Sequence, residues 1–247
     1  MNSKKANKPK PLLLLFGDLI AYIYAIFPAV ISWALGISFI LKFKDSDLLI
    51  FLVFLTPIII IFTFILTCFI FQRLLPKMKP GLYKTDGNIN IIVWHLNNAL
   101  ANALDNAGLK TPIYSFHLTK WLYWKAMGAN IAFGTLSSSL IVIREYPLIT
   151  IEKGVSLSGY NHISCHTFEG SRLLLAPINI GENAFIGMNT VIGPKSKIGK
   201  NAYIGVDNYI VFDTVADDGR VENFEFEYGS PARKQFPKHI KMEDYSS

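Results

Sequence analysis

The chain has little of what would staple a small domain together or bind a polyanion. Its 247 residues include two cysteines, Cys68 and Cys165. Cys68 lies in an apolar stretch and Cys165 in a mixed one, so no disulfide framework is expected and nothing points to an oxidising compartment. Neither cysteine has the spacing of a zinc site. There is no Arg-rich block and no interleaving of aromatic with basic residues, which argues against a nucleic-acid surface. The formal net charge of +6 comes from lysines spread over both termini and the stretch after residue 72. A membrane surface or an anionic small molecule suits that pattern better.

Apolar residues are abundant, at 51% of the chain, and the first 80 residues hold most of the excess. From Leu12 to Phe71 the sequence is almost wholly apolar, broken once by Lys42-Phe43-Lys44-Asp45-Ser46-Asp47. Two transmembrane helices are expected, about residues 19–41 and 48–71, each near the ~20 residues that cross a bilayer core. The break is a short turn, so the pair forms a hairpin; a cleaved signal peptide would be shorter. Lys4, Lys5, Lys8 and Lys10 precede the first span, and Arg73, Lys77, Lys79 and Lys84 follow the second. This asymmetry predicts a multi-pass protein of the inner membrane, with both chain ends and the domain after the spans in the cytoplasm.

Further along, Ile92, Leu96, Leu100 and Leu104 recur at helical spacing, and a second helical stretch from Leu118 to Met127 sets Trp121 and Trp124 beside Lys120 and Lys125. Such helices suit the headgroup layer, or they cap the end of the following domain; the sequence leaves both open. The expected organisation is a basic N-terminus (1–18), a transmembrane hairpin (19–72), an amphipathic connector (73–126), a repeat domain (127–235) and a tail (236–247).

The repeat is the strongest signal. Ile180, Ile186, Ile192, Ile198 and Ile204 are spaced six apart and each is followed by glycine. Ile151, Leu157 and Ile163 share another six-residue phase, in which Met127-Gly128 and Phe133-Gly134 also fall. A hexad gives one short strand and one corner, and three hexads close one triangular coil. Strand alternation sends the aliphatic residue inward. The fifth position also points inward and must be small: Ala184, Thr190, Ser196, Ala202. The fourth makes the corner, where Asn183, Asn189, Asn201 and Asp207 tolerate positive φ. The interval from Ile163 to Ile180, seventeen residues, is one short of a full coil and predicts a projecting loop, a common place for function.

Before that loop, Asn161-His162-Ile163-Ser164-Cys165-His166 is the densest run of reactive side chains. By the six-residue count, His162 and His166 reach the outer surface of the prism. An imidazole near neutrality is the natural base for a hydroxyl or amine attacking a thioester. Glu169 could orient it, and Arg172 could hold an anionic group beside Asn161. The alternative is that both histidines merely face solvent or a subunit contact. Cys165 could act as a nucleophile or be a small buried thiol.

The Ile-Gly hexads, the histidine before the loop and the closing Gly229-Ser230-Pro231-Ala232-Arg233 resemble the hexapeptide-repeat acyltransferases. Cys165 to Leu173, followed by Ile180-Gly181, is similar to the repeat domains that follow membrane spans in poly-lysine-synthetase-type nonribosomal peptide synthetases and in their stand-alone relatives. The resemblance implies an all-β left-handed parallel β-helix, an exception to the usual right-handed crossover, preceded by the transmembrane hairpin. It implies a homotrimer with sites between subunits and His166 as the active-site residue, to which the reading of the residues adds His162 and Glu169. The donor it implies is acyl-CoA, usually acetyl-CoA, held by backbone amides of later coils near Gly187 and Gly205 and by the basic pair Arg233 and Lys234. Asn161 and Arg172 would contact the acceptor, a lipid-linked or small hydroxyl or amine. Transfer from a carrier-protein thioester, a metal-dependent lyase using His162 and His166, and a non-catalytic scaffold remain alternatives. No metal is expected, because a third histidine is hard to place.

Overall fold

A computed structural model describes residues 11–85 and 88–221. Two long helices open it: α1 (Pro11–Lys42) and α2 (Leu49–Leu74), joined by the expected polar turn. Both are long and apolar enough to cross a membrane. They pack against each other, and large apolar side chains such as Leu19, Val30, Phe51, Phe54 and Leu66 remain exposed along them. A short strand, β1 (Gly81–Lys84), then leads to α3 (Ile89–Asn106), α4 (Lys110–Tyr114) and α5 (His117–Ala126).

α3 lies along α1, and α5 lies against α2. Trp124 and Lys120 of α5 are buried, and the Lys120 ammonium donates to Ser137 O at 2.7 Å. Trp121 Nε1 donates to Ile131 O at 3.0 Å. Of the two readings of this helix, the cap on the β-helix end is the one the contacts show.

The rest is a parallel β-helix of the left-handed class that the repeat implied. Its first coil is β2 (Asn130–Ile131), β3 (Leu136–Ser137) and β4 (Val142–Ile143). The second is β5 (Ile149–Ile151), β6 (Ser156–Leu157) and β7 (His162–Ile163). A hairpin follows, β8 (His166–Glu169) and β9 (Arg172–Leu175). The third coil is β10 (Ile178–Ile180), β11 (Phe185–Ile186) and β12 (Val191–Ile192). The fourth is β13 (Lys197–Ile198), β14 (Tyr203–Ile204) and β15 (Tyr209–Ile210), and β16 (Thr214–Val215) and β17 (Arg220–Val221) begin a fifth. Strands at equal positions in successive coils pair in parallel, so Ile151, Ile180, Ile198 and Val215 form one buried column.

The hexad positions behave as their chemistry requires. Ala184, Thr190, Ser196 and Ala202 are buried. Asn183, Asn189, Asn201 and Asp207 hold φ between 53° and 58° at the corners. The glycine after each isoleucine has a steric cause: a Cβ on Gly187 would lie 2.4 Å from the carbonyl carbon and oxygen of Gly205 in the next coil. The same two residues carry their amides inside the ladder, Gly187 N to Ile204 O and Gly205 N to Val221 O, both at 2.8 Å. Those N–H groups are therefore not free to hold a donor, contrary to the expectation for Gly187 and Gly205.

Two counting expectations are corrected. Met127 caps the end of α5 and Phe133 is exposed, so neither Met127-Gly128 nor Phe133-Gly134 belongs to the lattice. The inward residues of the first coil are Ile131 and Ile143, and two extra residues sit in the corner between Ile143 and Ile151. Nor is the stretch from Ile163 to Ile180 nearly a whole coil. It is a single corner from which the β8–β9 hairpin projects, and the coil closes beneath it through Ala176 N to Cys165 O at 2.9 Å. The hairpin turns at Gly170, φ 56°, and β1 adds to its far edge, pairing Gly81–Lys84 with Leu175–Arg172.

Gly187→Ala is expected to cost about 1–3 kcal/mol through overpacking against the next coil. A thermal unfolding midpoint several degrees lower by circular dichroism is the check.

Candidate active site

The two irregular corners stack. In the first coil, the corner after β4 carries Glu145 with φ 52°, ahead of the single-turn 3-10 segment Tyr146–Leu148. One coil later, the same corner carries Ser164, Cys165 and His166. Parallel pairing of β4 with β7 sets these corners one strand spacing apart, and Glu145 meets His166.

The Glu145 side chain is fully buried, and the His166 side chain is 25% exposed. His166 Nδ1 lies 2.8 Å from Glu145 Oε1. The same oxygen accepts from Trp94 Nε1 at 3.0 Å and from Asn98 Nδ2 at 3.1 Å. The other oxygen accepts from Cys165 N at 2.9 Å and from Ser164 Oγ at 3.3 Å. Ser164 Oγ also lies 2.9 Å from His166 Nδ1. This network assigns the proton to Nδ1 and leaves the lone pair on Nε2. The Trp94 indole meets the imidazole edge-on at 5.1 Å, and Phe168 meets Trp94 at 5.4 Å.

Burial would push the Glu145 carboxyl up. The hydrogen bond and charge of His166, with the bonds from Asn98 and Trp94, outweigh it and hold the carboxyl below the ordinary range.

In front of His166 is a cleft of ≈ 300 Å³, lined by His162, His166, Phe168, Val191, Pro194 and Tyr209 among others. Its floor is the outer face of the sheet containing β7, β12 and β15, where His162 and Val191 pair, as do Val191 and Tyr209. Its wall is the start of β8. His162 is held below its ordinary range, first by partial burial and then by the nearby Arg144 charge. Burial, with the charge of Glu145 adding to it, pushes the Cys165 thiol well up, which removes it as a nucleophile.

The structure thus brings His162 and His166 together and separates the other expected residues from them. Glu169 is exposed beside the hairpin turn, opposite Arg172, so the carboxylate on His166 is Glu145 and not Glu169. Arg172 is exposed on that same turn, away from the cleft lining. Asn161 occupies the small inward position of its hexad and is buried inside the prism, accepting from Thr190 N at 3.0 Å. It cannot touch a substrate from there. Gly193, not Gly187 or Gly205, lines the cleft. Arg233 and Lys234, like the N-terminal lysines and the Gly229–Arg233 sequence, lie outside the described residues. Among the described residues, no group of three or more His, Cys, Asp or Glu side chains could hold a metal ion.

Comparison with known proteins agrees with the repeat. Residues 177–210 match the family described as bacterial transferase hexapeptide (six repeats). The chain is 27% identical over 178 residues to a delta-poly-L-ornithine synthetase of Acinetobacter baumannii (strain AB307-0294), covering 71% of this chain. It spans only 12% of the length of that relative. A maltose O-acetyltransferase from Clostridium difficile 630 is similar at a TM-score of 0.45 and 13% identity, over 60% of this chain and 90% of that one. A hexapeptide-repeat acetyltransferase from Vibrio cholerae is similar at a TM-score of 0.36 and 16% identity, over 50% of this chain and 87% of that one.

Because the folded carboxyl of Glu145 is lowered, its contribution to stability is complete above the unfolded value, ~4.3, and is lost as pH falls through the lower folded value. The unfolding midpoint of the wild type should therefore drop in that acid window, and Glu145→Gln should lack that part of the drop.

Proposed function

We propose that this chain, which carries the hexapeptide repeat of bacterial transferases, is a membrane-anchored acyltransferase whose general base is His166. The observation that carries the reading is the buried Glu145 carboxylate on Nδ1 of an imidazole that lines an open cleft. Nε2 takes the proton from an acceptor hydroxyl or amine as that atom attacks the carbonyl of an acyl thioester. The tetrahedral intermediate collapses, the C–S bond breaks, and the imidazolium returns the proton to the leaving thiolate. Glu145 keeps the ring in the correct tautomer and stabilises its positive charge. His162, which lines the same cleft, would donate to or accept from the acceptor. Acetyl-CoA is the proposed donor, with Arg233 and Lys234 proposed for its phosphates.

The exposed apolar faces of α1 and α2, and the basic residues at the end of α2, support an anchor with the catalytic domain on the cytoplasmic side. A lipid-linked acceptor, or one made at that surface, fits such an anchor. A homotrimer is proposed, with a neighbouring prism closing the cleft. The ornithine synthetase relative favours a second reading, in which the thioester sits on a carrier protein and the acceptor is an amine.

With radiolabelled acetyl-CoA and the purified chain in detergent, His166→Ala should abolish acyl transfer, and Glu145→Gln should lower turnover about 100-fold. Unchanged CoA release in His166→Ala removes this base from the mechanism. Activity with loaded carrier protein but not with acyl-CoA selects the second reading. Sedimentation in detergent should give three copies.

A further inference from the structure

We propose that Trp94 and Asn98, on a helix outside the repeat, are positioning residues that lock the carboxylate orienting His166. The proposal rests on the acyl-transfer reading of the cleft. Apart from the His166 imidazole on Oε1, the β-helix supplies donors, among the described residues, to Oε2 alone, through Cys165 N and Ser164 Oγ. On Oε1, both donors other than the imidazole come from α3: Trp94 Nε1 at 3.0 Å and Asn98 Nδ2 at 3.1 Å. The two residues are four apart, so they project from one face of the helix. Without them, a buried carboxylate has too few donors to offset its desolvation. It then takes up a proton or turns Oε1 away, and either change loosens its hold on Nδ1 of His166.

α3 is itself held from behind. Asn97, adjacent to Asn98, is buried; it accepts from Gln72 Nε2 of α2 at 2.9 Å and donates to Val93 O at 2.7 Å. At the far end of α3, Ala107 O accepts from Trp33 Nε1 of α1 at 3.3 Å. The apolar helices therefore hold the helix that holds the carboxylate. Trp94 and Asn98 lie outside both the matched segment 177–210 and the β-helix, so on this proposal the β-helix alone does not contain a complete site.

The test uses the full-length chain in detergent, with Trp94→Phe (ring kept, donor removed), Asn98→Ala and the double variant. Each single variant should lower kcat about tenfold and the double about 100-fold, with KM for acetyl-CoA within about twofold; removing donors from a buried carboxylate should also lower the unfolding midpoint by a few degrees, so kcat is read well below it. In protein labelled with ¹⁵N-histidine, the ring signals of His166, assigned by their loss in His166→Ala, should move from the Nδ1-protonated form toward a mixture of tautomers in the double variant. Unchanged kcat, or a raised KM at constant kcat, overturns the proposal, as does an unaltered ring signature. If the wild type transfers no acyl group from any thioester, the functional reading fails, and the ring signature alone still decides the role of Trp94 and Asn98.

Discussion

Hydrogen bonding between successive coils governs everything else in this molecule. A parallel ladder with a strand spacing of about 4.8 Å forces equal positions of successive hexads into columns. A side of the prism cannot lengthen without breaking the ladder, so extra residues must leave at a corner. The chain does this in consecutive coils at the same corner: two residues ahead of β5 and a whole hairpin ahead of β10. Stacking then brings what the first insertion carries, Glu145, against what the second carries, His166. The candidate site follows from the register of the repeat combined with two departures from it.

That origin also explains which parts were legible in the sequence. From Ile180 to Ile204 the hexad is unbroken, and its aliphatic, small and corner positions all read correctly because each is set by local sterics. Glu145 was missed because the lattice was carried backward from Ile151 in steps of six. That count places Ser139 and Glu145 at inward positions, and a carboxylate at an aliphatic node was the available signal. Charged residues are almost never fully buried unless paired, so the mismatch marked a break in phase with a partner nearby. Asn161 was misread for the opposite reason. It was expected at the acceptor as part of the run of reactive side chains, but it sits at an inward small position and accepts a backbone hydrogen bond there. Trp94 and Asn98 could not be located at all, because only tertiary packing brings α3 to the corner.

The electrostatics of the pair are a balance of large opposing effects. Removing a carboxylate from water is costly, and in this protein four donors and one imidazole offset that cost. The donors come from the coil and from the helical layer together. The layer thus does more than pack apolar surface: it supplies polar surroundings that keep a negative charge stable inside the fold.

The strand β1 adds a geometric consequence. α2 ends at Leu74 and β1 begins at Gly81, with Pro76 and Pro80 between them. Residues 75–80 are a stiff leash that reaches at most about 25 Å between Leu74 and Gly81. β1 is stitched to β9, and β9 to the strand that starts at His166. On the membrane reading, the leash fixes how high above the lipid the reacting imidazole can ride. An acceptor fixed in the bilayer would need to present its nucleophile within that narrow layer, and one lying deeper or standing farther out would be passed over whatever its chemistry.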